Sequence, residues 1–191
     1  MTGELEQTNE FYAIAKIAGL KLCEALNKQF NRHYRCLMST NVYGPNDNFK
    51  LKYNHVLPSL ISRFHNAKIC KEKSVEIWGD GKPLREFIYV DDLSEAAILL
   101  MNSKINLLKL NNSHKLIFNV GPSEEISIFE LSKLIAKIVK FKGKLIFNKS
   151  LPKGVKRKLL DSTLIRQLGW KSQIKLEEGI KKTYKWYINN I

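Results

Sequence analysis

The sequence is organised around the stretch Tyr12-Ala13-Ile14-Ala15-Lys16. It lies within Glu10–Phe30, where apolar residues recur at helical spacing, so we expect one long helix there. A spacing of four residues places Tyr12 and Lys16 on the same helix face. An ammonium beside a phenol favours the phenolate, so the pair suits proton exchange with a carbonyl or hydroxyl near neutral pH. The spacing also arises by chance, which leaves an ordinary surface pair as the alternative.

Strands and helices are predicted to alternate after this helix. A strand at Arg35–Met38 runs into a polar segment that ends at Gly44-Pro45. Open α/β sheets bind ligands beyond the carboxyl ends of such strands. The other predicted strands are Val75–Trp78, Glu86–Val90, Leu116–Val120 and Leu145–Phe147. The other predicted helices are Val56–Lys68, a helix to Met101 with Asp91 as its N-cap, a helix with a capping box at Ser127 and Glu130, a short helix from Asp161 or Ser162 to Leu168, and Leu176–Asn189. This alternation predicts an α/β fold.

The composition is that of a globular protein with a basic surface. Of the 191 residues, 44% are hydrophobic and 26% are charged, and the formal net charge is +14. The lysines are spread along the chain, so we interpret the charge as surface lysines and not as a nucleic-acid site. No apolar run reaches the roughly 18 residues of a membrane span. Cys23, Cys36 and Cys70 lack metal-ligand spacing and indicate reduced thiols. We expect a cytoplasmic protein with no nucleic-acid, membrane or metal partner.

One expected motif is missing from the sequence. A dinucleotide-binding domain carries a Gly-x-x-Gly-x-x-Gly or Gly-x-Gly-x-x-Gly turn after its first strand, because the backbone must approach the pyrophosphate closely. The 191 residues contain neither pattern. The tyrosine–lysine pair is therefore not accompanied here by a phosphate-binding turn.

Further motifs are distributed over nearly the whole chain. They are Asn9–Gly19, Thr40–Phe49, Asn54–Pro58, Arg63–His65, Trp78–Gly81, Arg85–Phe87, Val90–Asp92 and Arg157–Asp161. Together they resemble the extended short-chain dehydrogenases/reductases of the NAD-dependent epimerase/dehydratase family, and within them the GDP-L-fucose synthases. Tyr-x-x-x-Lys alone identifies only the superfamily. The Asn-Asp-Asn-Phe loop from Asn46, followed by Asn-His-Val from Asn54, is far more specific.

The resemblance implies a particular domain organisation. The chain corresponds to the C-terminal part of such an enzyme, without the glycine-rich turn, most of the parallel sheet, the catalytic serine and a cysteine used in epimerisation. We expect residues 1–53 to be the remaining part of a Rossmann-type dinucleotide-binding domain. Residues 54–191 would then form mainly a smaller α/β nucleotide-sugar-binding domain, with residues 82–122 returning to the cofactor domain.

The resemblance also assigns catalytic and cofactor-binding roles, with NADP(H) as the cofactor. Tyr12 would give a proton to the C4 oxygen as hydride arrives, and Lys16 would assist it and bind the nicotinamide ribose. His55 would be the acid in proton exchange beside the ketone; without the resemblance, a histidine before a helix is more often a surface or capping residue. The implied cofactor-binding residues are Tyr12, Lys16, Ser39, Thr40, Asn41, Val42 and His55.

A second set of residues corresponds to positions that contact the GDP-sugar. Guanidinium groups suit a diphosphate, because they can form two parallel hydrogen bonds to it. Trp78 offers a flat apolar face, although packing in the core is its alternative. The implied substrate-binding residues are Arg63, Trp78, Arg85, Lys144, Arg157 and Lys158.

The implied activity is that of a multifunctional NADPH-dependent enzyme. It epimerises C3 and C5 of GDP-4-keto-6-deoxy-D-mannose and reduces C4, giving GDP-L-fucose. We expect a GDP-sugar substrate, and as protein partner a second copy in a homodimer or a separately encoded N-terminal half. We expect the isolated chain to have little or no activity. The alternatives are another nucleotide-sugar epimerase, dehydratase or reductase, and a non-catalytic remnant or subunit of a split enzyme.

Overall fold

The structure is a computed structural model that describes residues 3–49, 55–103, 117–151 and 155–190. Helices and parallel strands alternate along the chain, which confirms the α/β prediction. The helices are α1 (Glu10–Phe30), α2 (Val56–Ile69), α3 (Val90–Asn102), α4 (Ile128–Val139), α5 (Thr163–Gln167) and α6 (Leu176–Asn190). The strands are β1 (Cys36–Ser39), β2 (Asn41–Tyr43), β3 (Ser74–Trp78), β4 (Leu84–Tyr89), β5 (Ile117–Val120), β6 (Glu125–Ser127), β7 (Lys144–Asn148) and β8 (Arg157–Lys158).

Strand β4 is the centre of the sheet structure. It pairs with β2 and β8 in parallel and with β6 antiparallel, whereas β1 pairs with β5 and β3 pairs with β7, both in parallel. Only Thr40 separates β1 from β2. One extended stretch of chain therefore changes its partner at Thr40, from β5 to β4. The sequence predicted a loop after Met38 and missed β2, β6 and β8.

The buried apolar residues form two cores. The larger core lies between α2, α4 and α6 and the strands that they cover, and it contains Phe64, Ile77, Leu131, Ile135 and Ile180. The smaller core joins α3, α5, β4 and β5 through Ile88, Ala96, Leu100, Phe118, Val120, Ile165 and Trp170. Adjacent residues of β4 alternate between them: Phe87 and Tyr89 belong to the larger core and Ile88 to the smaller one.

The starts of α4 and α3 test the two helix caps predicted from the sequence. At α4 the Ser127 hydroxyl accepts from the Glu130 N–H and the Glu130 carboxylate accepts from the Ser127 N–H, so the predicted capping box is confirmed. The predicted N-cap at Asp91 is wrong, because α3 already begins at Val90 and Tyr89 precedes it as the N-cap. The buried acid of this turn is Asp92.

Asp92 fixes a distant segment and does not cap its own helix. Its carboxylate accepts hydrogen bonds from the Ser172 hydroxyl and from the backbone N–H groups of Gln173 and Ile174. The carbonyl of Asp92 also accepts from the Trp170 indole. These four bonds attach the segment before α6 to the first turn of α3.

Helix α1 has the predicted limits but none of its residues is buried. Phe11 is 88% exposed, Leu22 is 59% exposed and Phe30 is 55% exposed. At the far end of the helix, the Asn27 side chain bonds to both the N–H and the carbonyl of Tyr34, which fixes the turn toward β1. The apolar spacing thus predicts the helix correctly, but the described chain provides no core for it.

Candidate active site

Tyr12 and Lys16 are brought together by a single turn of α1. The Lys16 Nζ lies 5.4 Å from the centre of the Tyr12 ring, within the range of a cation–π contact. Tyr12 is 60% exposed, so its hydroxyl is accessible to a ligand. The expected proximity of the phenol and the ammonium is confirmed, and its geometry follows from the helix alone.

The segment Ser39–Val42 lies where the chain crosses from one sheet to the other. Ser39 pairs with Val120 of β5, and Asn41 pairs with Phe87 of β4. Between them, the Thr40 N–H donates to the Val120 carbonyl at 3.2 Å. The carboxyl end of β1 thus meets the start of the β4 sheet, and such switch points between strands are common ligand sites in α/β proteins.

The polar side chains of this crossing are already used inside the protein. The Thr40 hydroxyl donates to the Glu86 carbonyl at 2.6 Å, and the Asn41 amide donates to the same carbonyl at 2.7 Å. A ligand at this position would therefore meet mainly the backbone and the neighbouring side chains of Ser39 and Val42.

His55 precedes α2 and is exposed, and its side chain makes no capping hydrogen bond. It lies near Asp47: burial raises the pKa of the Asp47 carboxyl, while the Asn48 N–H and the positive potential of His55 partly oppose the rise. The predicted capping alternative for His55 is thus not realised through its side chain. Asn54, the predicted domain boundary at residues 53 and 54, and Leu116 lie outside the described residues.

Arg63 and Trp78 are both associated with the carboxyl-terminal half of β3. The Arg63 guanidinium donates to the Glu76 carbonyl, and burial lowers the pKa of this arginine. Trp78 ends β3 and is 58% exposed, so the alternative of core packing is wrong for this residue. An exposed indole at a strand end leaves one flat face for a ring-shaped ligand.

Arg85 and Lys158 are cross-strand neighbours. They are paired in the parallel ladder of β4 and β8, and directly paired residues project from the same face of a sheet. The Arg85 guanidinium donates to the Leu84 carbonyl at 2.7 Å, and burial lowers the pKa of Arg85. Lys158 is exposed. Two adjacent cations on one face are suited to an anionic ligand such as a phosphate.

Arg157 does not belong to this pair. It is opposite Leu84 in the same ladder, so strand alternation directs it to the other face of the sheet. Its Nε and Nη2 donate to the two carboxylate oxygens of Glu125 at 2.8 and 2.6 Å. This fork raises the pKa of Arg157 and lowers that of Glu125. The sequence grouped Arg157 with Lys158, and the structure separates them.

Lys144 is also separated from the other predicted substrate residues on its sheet. It starts β7 opposite Ser74, whereas Trp78 lies opposite Asn148 at the other end of the ladder. Four residues of a strand span about 13 Å. The parallel register therefore places Lys144 and Trp78 at opposite ends of the paired strands, so only a ligand that spans this distance could contact both.

Glu86 was not predicted as a functional residue, and it is the most completely buried acid near these residues. It is 0% exposed in the middle of β4, adjacent to Arg85. An acid that opens the otherwise apolar predicted strand Glu86–Val90 was the available signal, since an ionised side chain in a core must be paired or hydrogen-bonded. Elsewhere, the described residues contain no helix that is long and apolar enough to cross a membrane and no cluster of three or more side chains able to hold a metal ion.

Comparison with known proteins defines the class to which these features belong. Residues 1–121 match the NAD dependent epimerase/dehydratase family, a class built on a Rossmann-type α/β fold, and the chain belongs to that family.

Particular relatives share the sequence over its whole length. The chain is 47% identical over 191 residues to a protein named probable GDP-L-fucose synthase 1 of Oryza sativa, and covers 56% of that protein. It is also 47% identical to the GDP-L-fucose synthase of Escherichia coli, with 100% of this chain and 60% of the relative covered. A solved GDP-mannoheptose C4 reductase from Campylobacter jejuni with NADP bound shares 38% identity at a TM-score of 0.84, covering 98% of this chain and 60% of that one. The chain thus spans somewhat more than half the length of the proteins that it matches.

Proposed function

We propose that this chain provides the tyrosine–lysine pair and the nucleotide-sugar-binding surface of a GDP-L-fucose synthase. The reaction is NADPH-dependent 3,5-epimerisation and 4-reduction of GDP-4-keto-6-deoxy-D-mannose. The observation that carries the proposal is the Lys16 ammonium, 5.4 Å from the Tyr12 ring centre, in a chain 47% identical to two proteins named as such synthases.

The proposed proton chemistry uses three residues of this chain. Tyr12 gives a proton to the C4 oxygen of the sugar, and Lys16 favours the phenolate that remains. His55 serves as the acid that exchanges a proton beside the ketone during epimerisation, a task suited to an imidazole near neutral pH. The exposure of Tyr12 and His55 supports these roles, because both side chains are accessible to a substrate.

The residues present fit the nicotinamide end of NADP(H). Bound NADPH would supply the hydride for the reduction of C4. Ser39, Val42 and the backbone at Thr40 would hold the nicotinamide at the switch between β5 and β4, while the Thr40 and Asn41 side chains keep that backbone in place through Glu86. No residues of a glycine-rich turn are present in the sequence to hold the pyrophosphate.

The nucleotide diphosphate is proposed to bind on the Arg85 face of β4. Arg85 and Lys158 supply adjacent positive charges, Arg63 approaches β3, and Trp78 offers its exposed ring. Arg157 acts less directly, because Glu125 occupies two of its donors. Lys144 is left out of this site.

The smaller core supports part of the domain division expected from the sequence, although Phe87 and Tyr89 of residues 82–122 belong to the larger core. Residues 82–122 contribute Ile88, Ala96, Leu100, Phe118 and Val120 to the smaller core, against which Val42 also packs. We propose that this core and residues 1–53 belong to the cofactor domain, with Tyr43 and Phe49 extending into the larger core. The larger core, formed around α2, α4 and α6, belongs to the substrate domain.

The isolated chain is proposed to be inactive until a protein partner completes the cofactor site. The proposed partner is a segment equivalent to the part of the relatives that these 191 residues do not cover, or a second copy in a homodimer. Purified chain is mixed with NADPH and the keto sugar, with and without the portion of the Escherichia coli relative that this chain does not cover. NADPH oxidation only in the presence of that portion supports the proposal, whereas turnover by the chain alone contradicts the proposed inactivity.

The ligand class is tested on the chain alone by thermal shift. GDP and GDP-mannose are expected to raise Tm more than UDP and UDP-glucose at equal concentration, because ligand binding to the native state stabilises it. Arg85→Ala is expected to abolish the GDP shift, and Lys144→Ala to retain it. A shift with UDP-sugars only would contradict the GDP assignment.

A second candidate function is the C4 reduction of a different GDP-sugar. The 38% identity to a GDP-mannoheptose C4 reductase favours it. In the completed enzyme, a His55→Asn variant separates the two functions. Loss of deuterium incorporation at C3 and C5 with retained C4 reduction supports the synthase, and wild-type protein that never exchanges these protons supports the simple reductase.

A further inference from the structure

Glu86 is a buried charged residue to which the proposed chemistry gives no task. It is 0% exposed at the centre of β4, between Arg85 and Phe87. Because an ionised carboxylate in a core is costly unless its oxygens are hydrogen-bonded, its partners reveal what the residue holds.

The two carboxylate oxygens of Glu86 bind two different segments. Oε1 accepts from the Ser123 N–H at 2.5 Å, in the turn after β5. Oε2 accepts from the Leu160 N–H at 3.1 Å, two residues after the end of β8. The side chain of Glu86 thus binds the chain just after the Arg85–Lys158 pair, where β8 has ended. It thereby fixes the segment that carries Lys158.

The backbone carbonyl of Glu86 binds a third segment. It accepts from the Thr40 hydroxyl and the Asn41 amide, at the crossing between β1 and β2. One buried residue therefore contacts both the proposed nicotinamide segment and the segment that follows the proposed phosphate-binding lysine.

Gly121 gives the carboxylate the space that it needs. A Cβ at position 121 would collide with Glu86 Oε1 and lie 2.7 Å from its carboxyl carbon. Any side chain there would therefore displace the carboxylate. A substitution of Gly121 can thus disturb the hydrogen bonds of the Glu86 carboxylate while Glu86 itself stays in place.

We propose that Glu86 is a positioning residue that holds Lys158 beside Arg85 and also holds the Thr40–Asn41 crossing. The distance between the bound GDP moiety and the bound nicotinamide is thereby fixed. This inference rests on the proposed function for the identity of the ligands. Glu86 itself does not touch them; it acts through Leu160, Ser123 and the crossing.

Glu86→Gln is the sharpest test, because the two N–H donors bind different oxygens. A glutamine has one acceptor oxygen and one NH2 group. The backbone N–H of either Ser123 or Leu160 must therefore face this NH2 group and lose its acceptor. We expect GDP to bind this variant at least fivefold more weakly by isothermal titration calorimetry. Gly121→Ala is expected to weaken GDP binding in the same direction.

Asp92→Asn is the matched control. Asp92 is also buried and its carboxylate accepts three hydrogen bonds, but these come from Ser172, Gln173 and Ile174, away from β8. Both variants are expected to lower Tm, and only Glu86→Gln to change the Kd for GDP by more than twofold. Equal loss of GDP affinity in the two variants, or none in Glu86→Gln and Gly121→Ala, overturns the proposal.

Amide exchange separates this inference from the proposed function. If wild-type protein does not bind GDP, the proposed function fails, and the role of Glu86 is decided by NMR exchange rates of the Ser123 and Leu160 amides. At least tenfold faster exchange of one of them in Glu86→Gln, with no such change in Asp92→Asn, supports the positioning role. Unchanged exchange at both amides overturns it.

Discussion

Helices α1 and α4 make an instructive comparison, because both have apolar residues at helical spacing and only one of them has a core. Six of the 12 residues of α4 are buried, and its first turn is closed by a capping box. None of the 21 residues of α1 is buried, although it carries the proposed proton donor. The α4 and β4 region, which carries the proposed nucleotide site, is thus well buried, whereas α1 is not. The proposed proton donor, Tyr12, is on helix α1, which buries none of its own residues.

The largest expected effect is a difference in stability between the two helices. Ile135 of α4 is 0% exposed, and truncating such a residue to alanine costs about 2–5 kcal/mol of unfolding free energy. Ile14 of α1 is 49% exposed, so Ile14→Ala is expected to cost less than about 1 kcal/mol. Urea denaturation of both variants measures the contrast. A loss for Ile14→Ala as large as that for Ile135→Ala would mean that α1 is buried in solution.

A smaller effect is expected in thiol reactivity, which reports whether α1 stays beside β1. Burial and the neighbouring Cys23 of α1 raise the pKa of the Cys36 thiol to about 11. Since the thiolate is the reactive form, Cys36 should react with a disulfide reagent at pH 8 at least about tenfold more slowly than the exposed Cys70. Variants that each retain a single cysteine allow the rates to be assigned. Equal rates for Cys36 and Cys70 would show that α1 separates from β1.

The smallest expected effect is a pH dependence at the packed α2–α6 contact. Burial and the nearby Lys68 lower the pKa of His65, whose Nδ1 lies 3.1 Å from the Tyr184 hydroxyl and whose ring packs against Tyr187. The unfolded chain therefore takes up a proton at higher pH than the folded chain, and stability falls on acidification below the ordinary histidine range.

Urea midpoints at pH 7.5 and 5.5 measure this dependence, and His65→Gln should reduce the difference. Glu24 of α1 is the control, because its hydrogen bonds and charges from Lys21 and Lys28 lower its pKa to about 2. Glu24→Gln should therefore leave the difference between the two pH values unchanged. A wild-type protein that is equally stable at both pH values, with no effect of His65→Gln, would contradict the assignment.

Local signals in the sequence were sufficient for most helices and for the tyrosine–lysine pair. The limits of α1, the capping box at Ser127 and the i, i+4 approach of Lys16 to Tyr12 depend only on neighbouring residues. Short strands such as β6 and β8 were missed because they are strands only by pairing with β4. Their three- and two-residue lengths carry no periodicity of their own.

The separations between candidate site residues were not predicted for the same reason. Arg157 and Lys158 are adjacent in sequence, but strand alternation directs them to opposite faces of the sheet. The Arg157 guanidinium instead donates hydrogen bonds to Glu125 of β6. Lys144 and Trp78 are separated by the register of β3 and β7. The partners of Glu86 come from three segments, at residues 40–41, 123 and 160, which only the folded chain brings together.

Hydrogen–deuterium exchange of the chain with and without GDP tests most directly the claim that the β4 region binds the nucleotide. We predict slower exchange in β4 and in residues 155–160 when GDP is added, with no change in α1. Slower exchange in α1 without any change around β4 and β8 would contradict the account.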